Sequence, residues 1–141
     1  MKFFKHKNGI IDNSSVRIMG ILNVTPDSFS DGGLYLDSAS ASSHACEMIS
    51  CGADIIDIGA MSTRPGSEKI ASELEIDRLE RVLYGIREKS DIPISIDTVY
   101  PETADFALEN GADIINDVTG VFNNEMASVV KKHGAGWIIM H

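Results

Sequence analysis

The pentapeptide Gly-Ala-Asp-Ile-Ile occurs twice, at Gly52 and at Gly111, an offset of 111 − 52 = 59 residues. Each copy follows a helix-like segment and opens a short apolar run, so the chain repeats a unit in which a strand succeeds a helix. Two βα units of roughly 30 residues account for the offset, and a (β/α)8 barrel of about 250 residues is built from such units. The runs are "VRIMGILN" (16–23), "DIIDIG" (54–59), "PISIDT" (93–98), "DIINDV" (113–118) and "GWIIMH" (136–141). They are apolar at most positions rather than alternating, as parallel strands covered on both faces are.

Helical patterns fill the intervals. "SELEIDRLERVLYGIREK" reads as a helix opened by a Ser72/Glu75 capping box, with Leu79, Val82, Leu83 and Ile86 on one face. Pro101 opens a second helix that ends at Gly111, and asparagines open a third that ends at Gly134. A serine-rich helix near 39–50 is closed by Gly52. At the N-terminus, "FFKHKNGIID" reads as a β-hairpin turning at Asn8-Gly9 and covering the barrel floor. The expected fold is α/β of (β/α)8 TIM-barrel type: a partial barrel of about five strands and four helices with an N-terminal hairpin. Five strands do not close a barrel, so residues 1–141 are expected to be the truncated N-terminal portion of one barrel domain, and their open edge to drive self-association.

A net charge of −9, from 21 acidic and 12 basic residues, argues against a nucleic-acid surface. Cys46 and Cys51 do not share a helical face, which suits a reducing compartment. No run is apolar enough to span a bilayer or to act as a signal segment, so the expected location is cytoplasmic, with no membrane partner.

Polar residues gather where the apolar runs end: Asn23, Asp57, Asp97 and the Asn116-Asp117 pair. Ligands of parallel α/β folds collect at those strand ends. Buried carboxylates require donors, so Asp57 and Asp97 either meet a ligand, a metal or a hydroxyl, or cap the next helix. The loop "GAMSTRPGSEK" offers Arg64 beside Ser62 and Thr63, a fork suited to phosphate oxygens, although a lone loop arginine is more often a surface charge.

Taken together, "IMGILNVTPDSFSDGG", "GADIIDIGAMSTRPG", "PISIDT" and "GADIINDVTG" resemble dihydropteroate synthase, a pterin-binding barrel family of folate biosynthesis. The match runs from about Val16 onward and covers the N-terminal half of that family. One departure is Ala60-Met61, where members commonly carry Gly-Glu. The resemblance implies condensation of 6-hydroxymethyl-7,8-dihydropterin pyrophosphate with p-aminobenzoate to 7,8-dihydropteroate, releasing pyrophosphate. It implies Asn23 as a ligand to Mg²⁺, the expected cofactor, and Asp97 and Asn116 as pterin contacts. Thr63 and Arg64 would meet the pyrophosphate, Phe29 and Asp31 would belong to a loop near p-aminobenzoate, and Met140 would line the pterin pocket. Asp31 and Asp97 are the implied catalytic carboxylates. The chain alone is expected to be inactive, because residues that the family carries on later strands have no counterparts in it. The alternatives are a non-catalytic pterin- or phosphate-binding half-barrel and a methyl-carrying pterin protein; the "TPDSFSDGG" loop argues against the latter.

Overall fold

The computed structural model describes residues 3–25, 33–61 and 70–140, with side chains of the first helix described from Ser38 onward. A hairpin of β1 (Phe3–His6) and β2 (Gly9–Asp12) precedes the repeating part. There β3 (Met19–Asn23), β4 (Ile55–Gly59), β5 (Ile94–Asp97), β6 (Ile114–Asp117) and β7 (Gly136–Ile139) form one parallel sheet in sequence order. Between successive strands run α1 (Gly33–Ser50), α2 (Ser72–Arg87), α3 (Pro101–Glu109) and α4 (Asn124–His133). Unbroken strand order with a helix in every crossover is the barrel pattern, and doubly wound sheets instead reverse direction at a switch point.

Register assigns the two faces. Leu22, Ile56, Ile58, Ile94, Ile96 and Ile115 point to the helices and pack there with Leu79, Leu83 and Leu108. Met19, Ile21 and Asn23 share the other face with Ile55, Asp57, Gly59, Ser95, Asp97, Ile114 and Asn116. That face is apolar near the strand starts and polar at their ends, and Ile21 in it is 66% exposed.

The repeat has a structural cause. In each copy the glycine takes a left-handed conformation (φ 101° at Gly52, 113° at Gly111), which lets the chain leave a helix and enter a strand at once. The aspartate then clamps the preceding strand. Asp54 N–H donates to Ile18 O at 2.8 Å while Ile18 N–H donates to Asp54 Oδ2 at 2.8 Å. Asp113 repeats the exchange with Ile94, at 2.9 and 3.0 Å. An arginine completes each clamp: Arg17 on Asp54 at 3.0 Å and Arg87 on Asp113 at 2.6 Å.

Asp113 also anchors the hairpin under the strand starts, accepting from Asn8 Nδ2 at 2.8 Å and pairing with His6 Nδ1 at 3.3 Å. The Phe4 ring lies so close beneath Gly136 that a Cβ there would stand 2.6 Å from it. The floor expected from the sequence is therefore present, but its turn is displaced by one residue. His6 pairs with Gly9, so Lys7-Asn8 form the loop; Asn8 is drawn down to Asp113, and Gly9 packs on the His6 ring.

Two helix starts also differ from expectation. Helix α1 begins at Gly33, earlier than the serine-rich stretch suggests. At α2 the N-cap is Ala71, with no side-chain cap bond, so the Ser72/Glu75 capping box does not form. With Ser72 already the first helical residue, Glu75 lies one position too far along to reach back to the cap, and it turns inward instead. The remaining signals hold: Pro101 opens α3, Asn123 caps α4 by accepting from Glu125 N–H and Met126 N–H, and Gly134 ends α4 at φ 63°.

Candidate active site

The inward polar face is set by two adjacent layers of the sheet. Gly59, Asp97 and Asn116 lie in one register row with Asn23, and Asp57 and Ser95 lie in the row below. Asn116 Nδ2 donates to Asp57 Oδ2 at 3.1 Å, reaching diagonally across β5. An ionised carboxylate only accepts, so this bond fixes the amide: its NH2 faces Asp57 and its carbonyl oxygen is turned elsewhere. Asp57 and Asn116 are equivalent positions of the repeat, 116 − 57 = 59 residues apart.

Burial without donors marks this face. Asp57 Oδ1, Ser95 Oγ and Asp97 Oδ1 are buried with no hydrogen-bonding partner among the described residues. Such atoms are costly to hold, and their convergence on one surface is what a polar ligand would satisfy. Burial first, and then the charges of Asp57, Glu75 and Asp117, push the Asp97 carboxyl up to about 6. Glu75, behind the sheet, is also raised by burial, with the hydroxyls of Thr103 and Thr98 and the Arg78 charge opposing.

Gly59 separates Asn23 from Asp97. A Cβ at Gly59 would lie 3.5 Å from Asn23 Oδ1 and 3.6 Å from Asp97 Oδ2, so glycine leaves the gap between them open. An exposed amide oxygen beside that gap is a donor type that Mg²⁺ accepts, and the residues present fit such an ion. A separate trio, Asp105, Glu109 and His133, has metal-like spacing on the outer surface. Lys132 already bridges its two carboxylates at 2.8 and 3.2 Å, which makes it an ion-pair network.

Of the residues singled out in the sequence, Asn23, Asp97 and Asn116 meet on this face. Met140, 54% exposed, follows β7 on the same side of the sheet. Phe29, Asp31, Thr63 and Arg64 lie outside the described residues. Two features went unforeseen: the Asp57–Asn116 bond and the inward turn of Glu75. The second had a signal, because Glu75 falls on the same helical stripe as Leu79, Val82 and Ile86, where a solvated charge has no place.

Carboxylate and amide groups at the C-terminal ends of parallel strands are the means by which α/β-barrel proteins hold a small polar ligand. That is the class of protein this fold and face define. Within it the family is the pterin binding enzymes: residues 19–141 match that family, and the chain belongs to it. Among curated relatives, a dihydropteroate synthase of Streptococcus pyogenes serotype M1 is 52% identical over 125 residues, covering 88% of this chain and 47% of the relative. Among solved structures, Xanthomonas albilineans dihydropteroate synthase with 4-aminobenzoic acid superposes with a TM-score of 0.91 at 35% identity, covering 100% of this chain and 52% of that one. Burkholderia cenocepacia dihydropteroate synthase complexed with 7,8-dihydropteroate gives 0.84 at 32% identity, covering 99% and 46%. The chain thus spans about half the length of the relatives it matches. No helix among the described residues is long and apolar enough to cross a membrane.

Proposed function

We propose that these residues form the N-terminal half of a single dihydropteroate synthase barrel, which joins 6-hydroxymethyl-7,8-dihydropterin pyrophosphate to p-aminobenzoate. The observation that carries this reading is the adjacent placement of Asp97, whose Oδ1 is buried without a partner, and Asn116 on the inward face of a pterin-family sheet. A pterin edge presents N–H donors beside ring acceptors. Ionised Asp97 accepts two of those hydrogens, and the Asn116 carbonyl, turned away from Asp57, accepts a third.

In the reaction the bond from the pterin methylene carbon to the pyrophosphate oxygen breaks, and pyrophosphate leaves with the electron pair. The p-aminobenzoate nitrogen bonds to that carbon and gives up a proton. Asp97, buried and near Asp57, supplies negative charge that favours a cationic pterin as the carbon–oxygen bond parts. Asn23 is the residue that would hold Mg²⁺, which when bound would offset charge on the departing pyrophosphate. Thr63 and Arg64 are assigned to pyrophosphate oxygens, Phe29 and Asp31 to the p-aminobenzoate side, and Met140 to the pterin pocket.

The direct test is dihydropteroate formation by a barrel in which these 141 residues are completed by a second half. Pterin binding without turnover in that barrel would favour a non-catalytic pterin-binding module. With the chain alone, the pterin pyrophosphate is expected to bind weakly and to require Mg²⁺, as read by isothermal titration. Equal binding in EDTA would remove the metal from the site. The exposed Ile21 and Ile139 on the sheet and its terminal strands β3 and β7 also favour self-association. Analytical ultracentrifugation at micromolar concentration should give a species heavier than one chain, and a sharp monomer would count against it.

A further inference from the structure

Helix α2 carries a carboxylate on its buried stripe. Glu75 is 0% exposed and shares its face with Leu79, Val82 and Ile86. A leucine at that position would extend the apolar stripe, and buried charges are commonly replaced by apolar residues without loss of stability. The carboxylate therefore calls for a reason other than packing.

The Thr98 hydroxyl supplies one. Thr98 Oγ1 accepts from Tyr100 N–H at 3.2 Å, so its single hydrogen is free for Glu75 Oε2, 2.7 Å away. Thr98, itself 0% exposed, directly follows Asp97, and its N–H donates to Asn116 O at 3.2 Å. From the helix side of the sheet, Glu75 thereby holds the peptide that joins Asp97 to Thr98 and, through it, the carbonyl of Asn116. One turn further along α2, Arg78 Nη1 donates to Ala60 O at 2.9 Å, holding the chain as it leaves β4.

We propose that Glu75 is a positioning residue: by fixing Thr98 it sets the aim of Asp97 and Asn116 toward the ligand. This rests on the pterin role given to those two residues above. Glu75→Gln keeps an oxygen acceptor for the Thr98 hydroxyl, Glu75→Leu removes it at similar volume, and Thr98→Val removes the donor together with the acceptor of the Tyr100 N–H.

Amide hydrogen exchange by NMR on this chain tests the linkage without reference to activity. In Glu75→Leu, the Thr98 and Tyr100 amides should exchange about tenfold faster relative to amides elsewhere in β4 and β6, with Glu75→Gln near wild type; in Thr98→Val, which itself removes the Tyr100 acceptor, the Thr98 amide is the readout. Unchanged exchange, or a uniform rise across the sheet, overturns the proposal. In an active barrel carrying these residues, Glu75→Leu should raise KM for the pterin substrate about tenfold, leave KM for p-aminobenzoate within about twofold, and be rescued by Glu75→Gln. A parallel rise in both constants, or none, overturns it as well. A wild-type barrel that forms no dihydropteroate would instead overturn the functional reading, and the exchange result would still decide the role of Glu75.

Discussion

In an active barrel carrying these residues, Asp97→Asn should lower kcat/KM for the pterin substrate by about 30- to 1000-fold. The substitution places an NH2 where a pterin N–H must be accepted and removes charge that favours the cationic pterin. A lost charge-assisted bond with an unsatisfied donor amounts to roughly 2–4 kcal/mol, and each ~1.4 kcal/mol is a decade in rate. Asp57→Asn should cost less, because Asp57 acts by orienting the Asn116 amide. Circular dichroism must first show both variants folded, and near-wild-type kcat/KM for folded Asp97→Asn, with pterin affinity unchanged, would falsify the direct role.

The same carboxylate gives a pH dependence of defined sign. With Asp97 raised from 3.8 to about 6, the folded chain retains a proton that the unfolded chain releases. Its contribution to stability is fully present below pH 3.8 and is lost as pH rises through about 6. Ligand binding runs the opposite way, since an accepting carboxylate must be ionised: affinity for the pterin should fall as pH drops below about 6. Carboxyl ¹³C NMR of Asp97 against pH reads the titration directly. A midpoint near 4 would show that the burial and charge around it are weaker than the geometry implies.

Much of the fold was legible because a parallel strand covered on both faces must be apolar at nearly every position, and Ile56, Ile58, Ile94, Ile96 and Ile115 advertise it. The strand-end polar residues were legible for the complementary reason, that they interrupt those runs. Pairings between distant layers were not. Asp57 reaches Asn116 over an intervening strand, which depends on sheet curvature and has no linear spacing rule, although the repeat offset contained the pair in hindsight. Glu75 was misread because serine followed three residues later by glutamate signals a cap only when the serine is the cap residue. Here the helix starts one residue earlier, and the choice was made by tertiary burial of Glu75 against Thr98. The hairpin turn shifted for a similar reason: a favourable Asn-Gly pair yielded to the bond from Asn8 to Asp113.

That bond belongs to the centre with the largest expected effect on stability. Asp113 is 2% exposed and receives Arg87 Nη2 at 2.6 Å, Asn8 Nδ2 at 2.8 Å and Ile94 N–H at 3.0 Å, with His6 at 3.3 Å. Removing it deprives Arg87 Nη2 of its acceptor and cuts the side-chain bonds from Asn8 and His6, so Asp113→Ala should cost about 3–5 kcal/mol, the range for breaking one partner of a buried pair. The repeat provides its own control. Asp54 holds the equivalent place, clamps Ile18 in the same way and pairs with Arg17, but both side chains of that pair are about one-third exposed (30% and 34%). Solvent screens such a pair and can satisfy what a substitution leaves behind, so Asp54→Ala should cost clearly less than Asp113→Ala. Urea unfolding of the two variants at matched m-values measures the difference, and Asp113→Asn serves if the alanine variant does not fold. Equal losses at the two aspartates would mean that burial and the hairpin contacts add nothing to the shared clamp, and that the floor is held by Phe4 against Gly136 instead.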